Sequence, residues 1–302
     1  MIRTAALSTA YSIIAELENS TQFAAYVAWG VNSKQLTQQL LDRLSNGRHS
    51  WPDQGDTSLC GPAAFMFCLI HDRPDLYVGH IIDLWAGRPA TLGERSIKPS
   101  AQVRTIAETR TETVNPKTGA KEMQTVPQAA RINAVDWISM ASLRNDSPSL
   151  IPFSSYDHPS AMASAITRPA YLKGWFNAVG STTLLDNTNE ILPMADWKEL
   201  LELAPHQPSA WVVMLVSAAM FGGTGSTYKN HWVVLNGPIT VNGRPINGYS
   251  ADDKPELANA SIQARIFTWG DESHSLASAT ALPHLSHFLK CFHGGIAFSS
   301  IP

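Results

Sequence analysis

Residues 54–71 read QGDTSLCGPAAFMFCLIH, a turn-forming segment that passes directly into a long apolar run. Pro62 suits the first turn of a helix, because an N–H at that position has no acceptor within the helix and its loss costs little. The residues after Pro62 are apolar on nearly every side, which is typical of a buried helix. The stretch therefore predicts a buried helix that begins near Cys60.

Cys60 and Gln54 are the first residues for which this pattern predicts a chemical role. A thiol at a helix N-terminus lies against the positive end of the helix dipole, which favours the reactive thiolate. An acyl-transfer enzyme also needs hydrogen-bond donors for the oxyanion, and the Gln54 amide can reach back beside the backbone N–H of Cys60. Cys60 is thus the candidate nucleophile and Gln54 the candidate oxyanion donor.

The last third of the chain changes character and supplies a candidate base. Residues 211–216 and 231–235 are apolar and largely β-branched, which predicts two buried strands. Further strands are predicted within residues 261–269 and at residues 295–298. His231 opens its strand directly after a glycine-rich loop, a place where a polar side chain can face a cleft.

These residues resemble the papain-like cysteine peptidases. Gln54, five further residues and then Cys60 at a helix start are similar to the family's pattern, and Cys-Gly-Pro-Ala-Ala is especially similar to the C39-like branch. His231 at a strand start agrees with the family's order, and residues 266–270 resemble the Asn-Ser-Trp-Gly stretch of papain relatives. The resemblance covers roughly residues 50–300.

The resemblance implies an α+β fold, in which a helical lobe carries the cysteine at a helix N-terminus and an antiparallel β-sheet lobe carries the histidine. Residues 1–48 are then expected to form an N-terminal helical arm, and residues 49–302 the papain-like catalytic domain. Within that domain we expect the helical lobe at about residues 49–205 and the sheet lobe at about residues 206–302.

The third catalytic residue stays open at this stage. The position of the family's orienting asparagine would be Phe267, whose ring cannot hold an imidazole. The polar alternatives nearby in the sequence are Asp252, Asp253, Thr268 and Asp271. Trp232 and Trp269 are expected to be core residues or a shield beside the imidazole.

The activity that the resemblance implies is hydrolysis of a peptide or amide bond. Cys60 would attack the carbonyl carbon, Gln54 would hold the oxyanion, and His231 would transfer the proton, with no cofactor or metal. The same residues would serve a glutamine deamidase or transglutaminase. The absence of the asparagine also leaves open a papain-like binding module without turnover.

Composition and the chain start bear on partners and location. The 302 residues carry a net charge of -3 with no basic block, so neither nucleic acid nor an anionic membrane is an expected partner. The longest apolar run, residues 211–221, is well short of the ~20 residues needed to cross a bilayer. The first residues match a secretory signal poorly, which predicts a cytoplasmic location in the producing cell, or secretion without a cleavable signal peptide.

The three cysteines, Cys60, Cys68 and Cys291, are too few for a disulfide framework, so the chain is expected to fold in a reducing compartment. Cys68 and Cys291 are expected to be packing residues. The middle region around residues 136–144 is similar to papain-like toxin domains that proteobacteria export through contractile secretion systems. That likeness implies a protein or peptide substrate and an immunity or inhibitor protein as partner.

Overall fold

The structure, a computed structural model, describes residues 4–20, 29–45, 50–55, 57–105, 108–115, 118–127, 132–147, 167–188, 196–221, 231–253, 259–276 and 284–302. The chain divides into two compact units. The helical unit comprises Met1–Val179 with Pro302, and the sheet unit comprises Gly180–Ile301. Helices dominate the first and an antiparallel sheet organises the second, so the fold class is α+β, as predicted.

The helical unit is built from helices and two short hairpins. Its helices are α1 (Thr4–Asn19), α2 (Ser33–Leu44), α3 (Cys60–Asp72), α4 (Pro74–Trp85), α5 (Ala101–Thr105), α6 (Ala134–Asp136), α7 (Ser142–Asp146) and α8 (Pro169–Ala178). A π-helical turn, Trp137–Ala141, joins α6 to α7. The hairpins are β1 (Ala90–Leu92) with β2 (Arg95–Ile97), and β3 (Glu108–Val114) with β4 (Lys121–Pro127).

Helix α3 lies at the centre of the helical unit. Every residue from Cys60 to Asp72 is buried, as its apolar character on all sides predicts. Helix α8 packs against it, with the ring centroid of Phe65 at 5.2 Å from that of Phe176. Helix α1 packs against α2 and α4, so the predicted arm of residues 1–48 belongs to this unit.

The sheet unit contains a six-stranded antiparallel sheet in the order β12-β11-β7-β6-β13-β5, and a small three-stranded sheet in the order β10-β8-β9. Its strands are β5 (Thr183–Asp186), β6 (Trp211–Val216), β7 (His231–Leu235), β8 (Thr240–Val241), β9 (Arg244–Pro245), β10 (Ile262–Gln263), β11 (Arg265–Thr268), β12 (Asp271–Ser275) and β13 (Phe292–Phe298). Its helices are α9 (Trp197–Leu203) and α10 (Leu285–Cys291), with short 3-10 turns at Ala204–His206, Ala218–Phe221 and Ile246–Gly248.

The two apolar runs of the last third form neighbouring central strands, β6 and β7, which confirms both predicted strands. Every residue of β7 is buried, because strands flank it on both sides and the sheet packs into an apolar core. His231 pairs with Val216 and therefore lies at the end of this ladder. The ladder thus fixes the backbone of the candidate base.

The sheet unit begins at Gly180, whereas the sequence placed the start of the sheet lobe near residue 206. Strand β5 pairs with β13, and helix α9 buries Trp197, Leu200 and Leu203 in the same core as the strands. Strand β5 lies at the sheet edge and is mostly exposed, so it lacks the apolar run that marks a buried strand. None of the helices that the structure describes has both the length and the apolar character needed to span a bilayer.

Candidate active site

The three predicted catalytic residues are divided between the two units. Gln54 and Cys60 belong to the helical unit and form what we call the thiol half-site. His231 belongs to the sheet unit and, with Thr268 and Trp269, forms what we call the imidazole half-site. Each half-site is formed within its own unit.

Cys60 is the first residue of α3, as the sequence predicts. The amide of Ala63 donates to the carbonyl of Leu59 over 2.9 Å, which marks the first helical hydrogen bond. Backbone N–H groups in a first turn have no acceptor within the helix, and the helix dipole is positive there. The Cys60 thiol, 3% exposed, therefore lies at the positive end of the helix dipole.

Gly61 allows another segment to approach this helix end closely. A Cβ atom at residue 61 would collide with the Cβ and both γ atoms of Thr167, which is itself buried. The glycine after the cysteine is therefore explained by packing within the helical unit. Its role is to let residue 167 cover the first turn of α3.

Gln54 is 4% exposed, and its side chain is held by a local turn. Its Nε2 donates to the backbone carbonyl of Thr57 over 3.0 Å. The Thr57 hydroxyl donates back to the backbone carbonyl of Gln54 over 2.7 Å. Gly55 adopts φ +54°, which lets the chain turn between them. A carboxamide carries two N–H donors, so the bond to Thr57 orients the group and leaves a second donor.

A buried ion pair holds the segment that carries Gln54, residues 50–55, which we call the Gln54 loop. The Arg43 Nη2 atom lies 2.6 Å from Asp136 Oδ2, and both side chains are almost fully buried. Arg43 also donates to the carbonyl of Trp51, and the amide of Asp53 donates to Asp136 Oδ2 over 3.1 Å. Burial raises the pKa of Asp136 to about 6, against the opposing effect of Arg43.

The indole of Trp51 fixes the same loop against α3. It stacks on the imidazole of His71 with ring centroids 4.5 Å apart and planes at 4°. The edge of Phe67 completes the contact, with ring centroids 5.1 Å apart. Burial lowers the pKa of His71 to about 4, so this imidazole is neutral at neutral pH and packs as an aromatic ring.

His231 is oriented by a hydroxyl in the sheet unit. Its Nε2 atom lies 2.6 Å from Oγ1 of Thr268, and both residues are buried. Phe267 pairs with Val234, so Thr268 lies opposite the next residue of β7 toward His231. Side chains alternate along a strand, which places Thr268 on the same face of the sheet as His231.

Trp269 covers the imidazole. Its ring stacks on His231 with centroids 4.5 Å apart and planes at 16°. Trp269 and Gly270 have φ values of 45° and 73°, and together they form the tight turn between β11 and β12. A left-handed tryptophan is strained, so the hairpin turn holds this ring over His231 at a conformational cost.

The environment of His231 keeps the imidazole neutral. Burial lowers its pKa to about 3, with a further contribution from His274. The ring of Phe221 packs edge-on against both His231 and Trp269, with centroids 6.0 and 5.2 Å apart. A neutral imidazole has the lone pair that a general base needs, but general bases work best with a pKa near the operating pH, so a pKa of about 3 makes this ring a weak base in the free protein.

The structure distinguishes among the alternatives for the third residue. Of the four, all of which lie in the described part of the chain, Thr268 is the one that hydrogen-bonds His231. Asp253 accepts hydrogen bonds from the amide and hydroxyl of Ser250. The Oδ2 atom of Asp271 lies 3.6 Å from Nδ1 of His274, and Asp252 is exposed. Phe267 is buried in the sheet next to Thr268.

The remaining predicted residues lie in packed surroundings. Cys68 and Cys291 are fully buried, and burial raises the pKa of each thiol. None of the three cysteines, all of which lie in the described part of the chain, forms a disulfide. Trp232 is buried in the sheet unit, whereas the glycine-rich loop before His231, residues 222–230, lies outside the described residues.

Comparison with known proteins identifies no relative. No family model matches the chain, and neither curated proteins nor solved structures give a significant match.

Arg43 and Asp136, which are 93 positions apart, were not selected from the sequence as a pair of site residues. The local signals were a charged residue on the apolar side of a helix at Arg43, and an acidic residue among apolar neighbours at Asp136.

Proposed function

We propose that the protein is a papain-like thiol hydrolase that cleaves a peptide or amide bond, with Cys60 as nucleophile and His231 as base. The oriented, neutral imidazole of His231 carries the proposal, because a strand-end histidine held by Thr268 and covered by Trp269 has the features of a general base. The position of Cys60 at the N-terminus of α3, after the fixed Gln54 amide, supports it further.

The reaction takes two steps. The Cys60 thiol gives its proton to Nδ1 of His231, and the sulfur bonds to the substrate carbonyl carbon while Gln54 holds the oxyanion. Collapse of this intermediate breaks the carbon–nitrogen bond, and the imidazolium gives the proton to the leaving amine. Water then attacks the thioester with His231 as base, which releases the carboxylic acid and restores the thiol.

The position of Thr268 favours the catalytic hydrolase over a binding module that has lost its orienting residue. If His231 carries its proton on Nε2, the Thr268 hydroxyl accepts that hydrogen bond and Nδ1 presents its lone pair. A hydroxyl can therefore perform the orienting role for which Phe267 is unsuited. No charged third residue is required for this arrangement.

Alkylation by iodoacetamide at neutral pH tests the nucleophile without a known substrate. Peptide mapping should find Cys60 labelled faster than Cys68 or Cys291, because Cys60 lies at a helix N-terminus, whereas burial raises the pKa of the other two thiols. Hydrolysis of p-nitrophenyl acetate should be lost in Cys60→Ala and kept in Cys291→Ala. Equal labelling of the three cysteines, or a wild-type protein that does not hydrolyse the ester, would contradict the proposal and favour the binding module. Ester hydrolysis that survives Cys60→Ala would contradict Cys60 as the nucleophile.

Mass spectrometry of a defined peptide mixture separates the two candidate reactions of this nucleophile. Peptidase activity gives new termini that are absent with Cys60→Ala. Conversion of the amide to the acid at an intact glutamine would instead identify a deamidase, and cross-linked glutamine–amine products a transglutaminase.

A further inference from the structure

We propose that Arg43 and Asp136 are positioning residues for the Gln54 amide, acting through the backbone of the Gln54 loop. The inference rests on the proposed function, because it assigns a role to the ion pair in oxyanion stabilisation. Neither side chain is itself expected to touch a substrate.

Arg43 and Asp136 each hydrogen-bond the backbone of the Gln54 loop, at Trp51 and at Asp53. The Arg43 guanidinium bonds Asp136 through Nη2 and the Trp51 carbonyl through Nη1. Asp136 Oδ2 in turn accepts the amide of Asp53, which directly precedes Gln54. A guanidinium is a planar, rigid fork, so its two acceptors are fixed relative to each other.

The Gln54 side chain depends on this backbone. Its amide bonds the carbonyl of Thr57, three residues further on, and Thr57 bonds back to the Gln54 carbonyl. These contacts define the shape of the turn, but they do not tie it to a helix. Within the described helical unit, Arg43 on α2, Asp136 at the end of α6, and the Trp51–His71 stack provide that tie.

The energetics favour positioning over stabilisation as the role of the pair. Two charges with side chains 3% and 0% exposed carry a large desolvation cost, and apolar residues of similar volume often replace such pairs without loss of stability. A fixed oxyanion donor is different, because a displacement of about 1 Å can cost ~100-fold in rate. The buried pair therefore supplies fixed geometry that an apolar pair would not.

Two reactions of Cys60 separate this role from a general structural one. Hydrolysis of p-nitrophenyl acetate passes through an oxyanion intermediate. Alkylation by iodoacetamide displaces iodide directly and forms no oxyanion. We expect Asp136→Asn and Arg43→Lys to slow ester hydrolysis about 10- to 100-fold and to leave the alkylation rate unchanged. Asp146→Asn, at the partly buried Arg95–Asp146 pair of the same unit, is the matched control and should change neither rate.

A double-mutant cycle shows whether the effect passes through Gln54. Gln54→Ala alone should slow ester hydrolysis by about 10²- to 10³-fold, as loss of one oxyanion donor does. In that background Asp136→Asn should cause no further loss. The double variant Arg43→Met/Asp136→Leu replaces the pair by apolar residues and should fold even if Asp136→Asn folds poorly. We expect its ester hydrolysis to be slowed about as much as that predicted for Asp136→Asn.

The outcomes distinguish failure of this inference from failure of the proposed function. Equal losses of both reactions in Asp136→Asn, or a full further loss in the Gln54→Ala background, would overturn the positioning role. A slow Gln54→Ala variant beside an unaffected Arg43→Met/Asp136→Leu variant would overturn it while leaving the proposed function intact. If Gln54→Ala hydrolyses the ester at the wild-type rate, the oxyanion role of Gln54 and the positioning inference both fail, whereas the proposed function itself fails if ester hydrolysis survives Cys60→Ala.

Discussion

The Nε2 atom of His231 and the Oγ1 atom of Thr268 lie 2.6 Å apart, within a sheet that buries both residues. The distance is short for a neutral donor and acceptor, and it fixes the plane of the imidazole. The bond occupies one ring nitrogen, so in the proposed mechanism Nδ1 is the nitrogen that exchanges a proton with the thiol. On that proposal, a hydroxyl would do what a carboxamide does in the papain-like peptidases.

Thr268→Val removes this hydroxyl while nearly conserving volume. We expect ester hydrolysis by Cys60 to fall by about 10- to 100-fold, because the imidazole loses its orientation. Thr268→Ser should retain most of the rate, and Thr183→Val, at the exposed edge of the sheet, is the control. A wild-type rate in Thr268→Val, measured by p-nitrophenol release, would exclude an orienting role.

Trp269→Gly should separate backbone strain from shielding. Glycine adopts a φ of 45° without strain, so the substitution should relieve the turn. Loss of the ring hydrates the imidazole, so the pKa of His231 should rise from about 3 toward its ordinary value of 6.5. An NMR titration of the His231 ring measures this directly, and an unchanged pKa would show that Trp269 does not shield the base.

The stability of the protein should fall as the pH drops below about 6.5. Burial lowers the pKa of His71 to about 4, and those of His80 and His231 to about 3. The unfolded chain therefore binds protons that the folded chain does not, and each such imidazole lowers the free energy of unfolding by about 1.4 kcal/mol per pH unit. Asp136 acts in the opposite direction below pH 6, since its pKa is raised in the folded state.

Urea denaturation from neutral to mildly acidic pH measures this dependence. His80→Gln should reduce the slope of the unfolding free energy against pH by about 1.4 kcal/mol per pH unit, the contribution of one proton, whatever its effect on stability at neutral pH. Stability that rises on acidification, or a slope unaffected by His80→Gln, would contradict the assignment of neutral buried imidazoles.

Gly61→Ala should destabilise the helical unit, because the new Cβ collides with Thr167. We expect a cost of about 1–3 kcal/mol, as for other overpacked sites, and Thr167→Gly should recover part of it. Gly79→Ala is the control, since a Cβ there meets nothing within 4 Å and should stabilise helix α4 by about 0.4–1 kcal/mol. Urea midpoints of Gly61→Ala, Gly61→Ala/Thr167→Gly and Gly79→Ala test the contact between residues 61 and 167, and equal effects at residues 61 and 79 would refute the collision.

The similarity of the region around residues 136–144 to exported papain-like toxin domains predicts that the protein is toxic to a bacterium that expresses it. Growth inhibition should require Cys60 and should disappear in Cys60→Ala at equal expression. Directing the chain to the cytoplasm or to the periplasm would locate the substrate, with periplasmic toxicity indicating a cell-wall peptide. Toxicity that persists in Cys60→Ala would exclude thiol catalysis as its cause.

The sequence predicted the elements that depend on local pattern. An apolar run on all sides gave helix α3 and its start at Cys60, and two β-branched runs gave β6 and β7. Both signals arise because these segments are buried on every face. Edge strand β5 and amphipathic helix α9 carry weaker signals, so the boundary between the units was placed too far along the chain.

The contacts that shape each half-site depend on distant residues. Thr268 was one of four alternatives, since only the register of β11 on β7 shows which side chain shares a face with His231. Arg43 and Asp136 could not be paired from the sequence, because a buried ion pair across 93 positions leaves no local periodicity. Tertiary packing supplies both.

The contact between Arg43 and Asp136 also has a consequence for folding. The two residues meet only after the chain has closed a loop of 93 positions, and such non-local contacts form late and slowly. A partly folded chain would therefore carry the thiol of Cys60 before Gln54, the proposed oxyanion donor, is in place. On the proposed mechanism, recovery of ester hydrolysis after dilution from denaturant should lag behind recovery of helical structure, so the chain's own chemistry would report the last stage of its assembly.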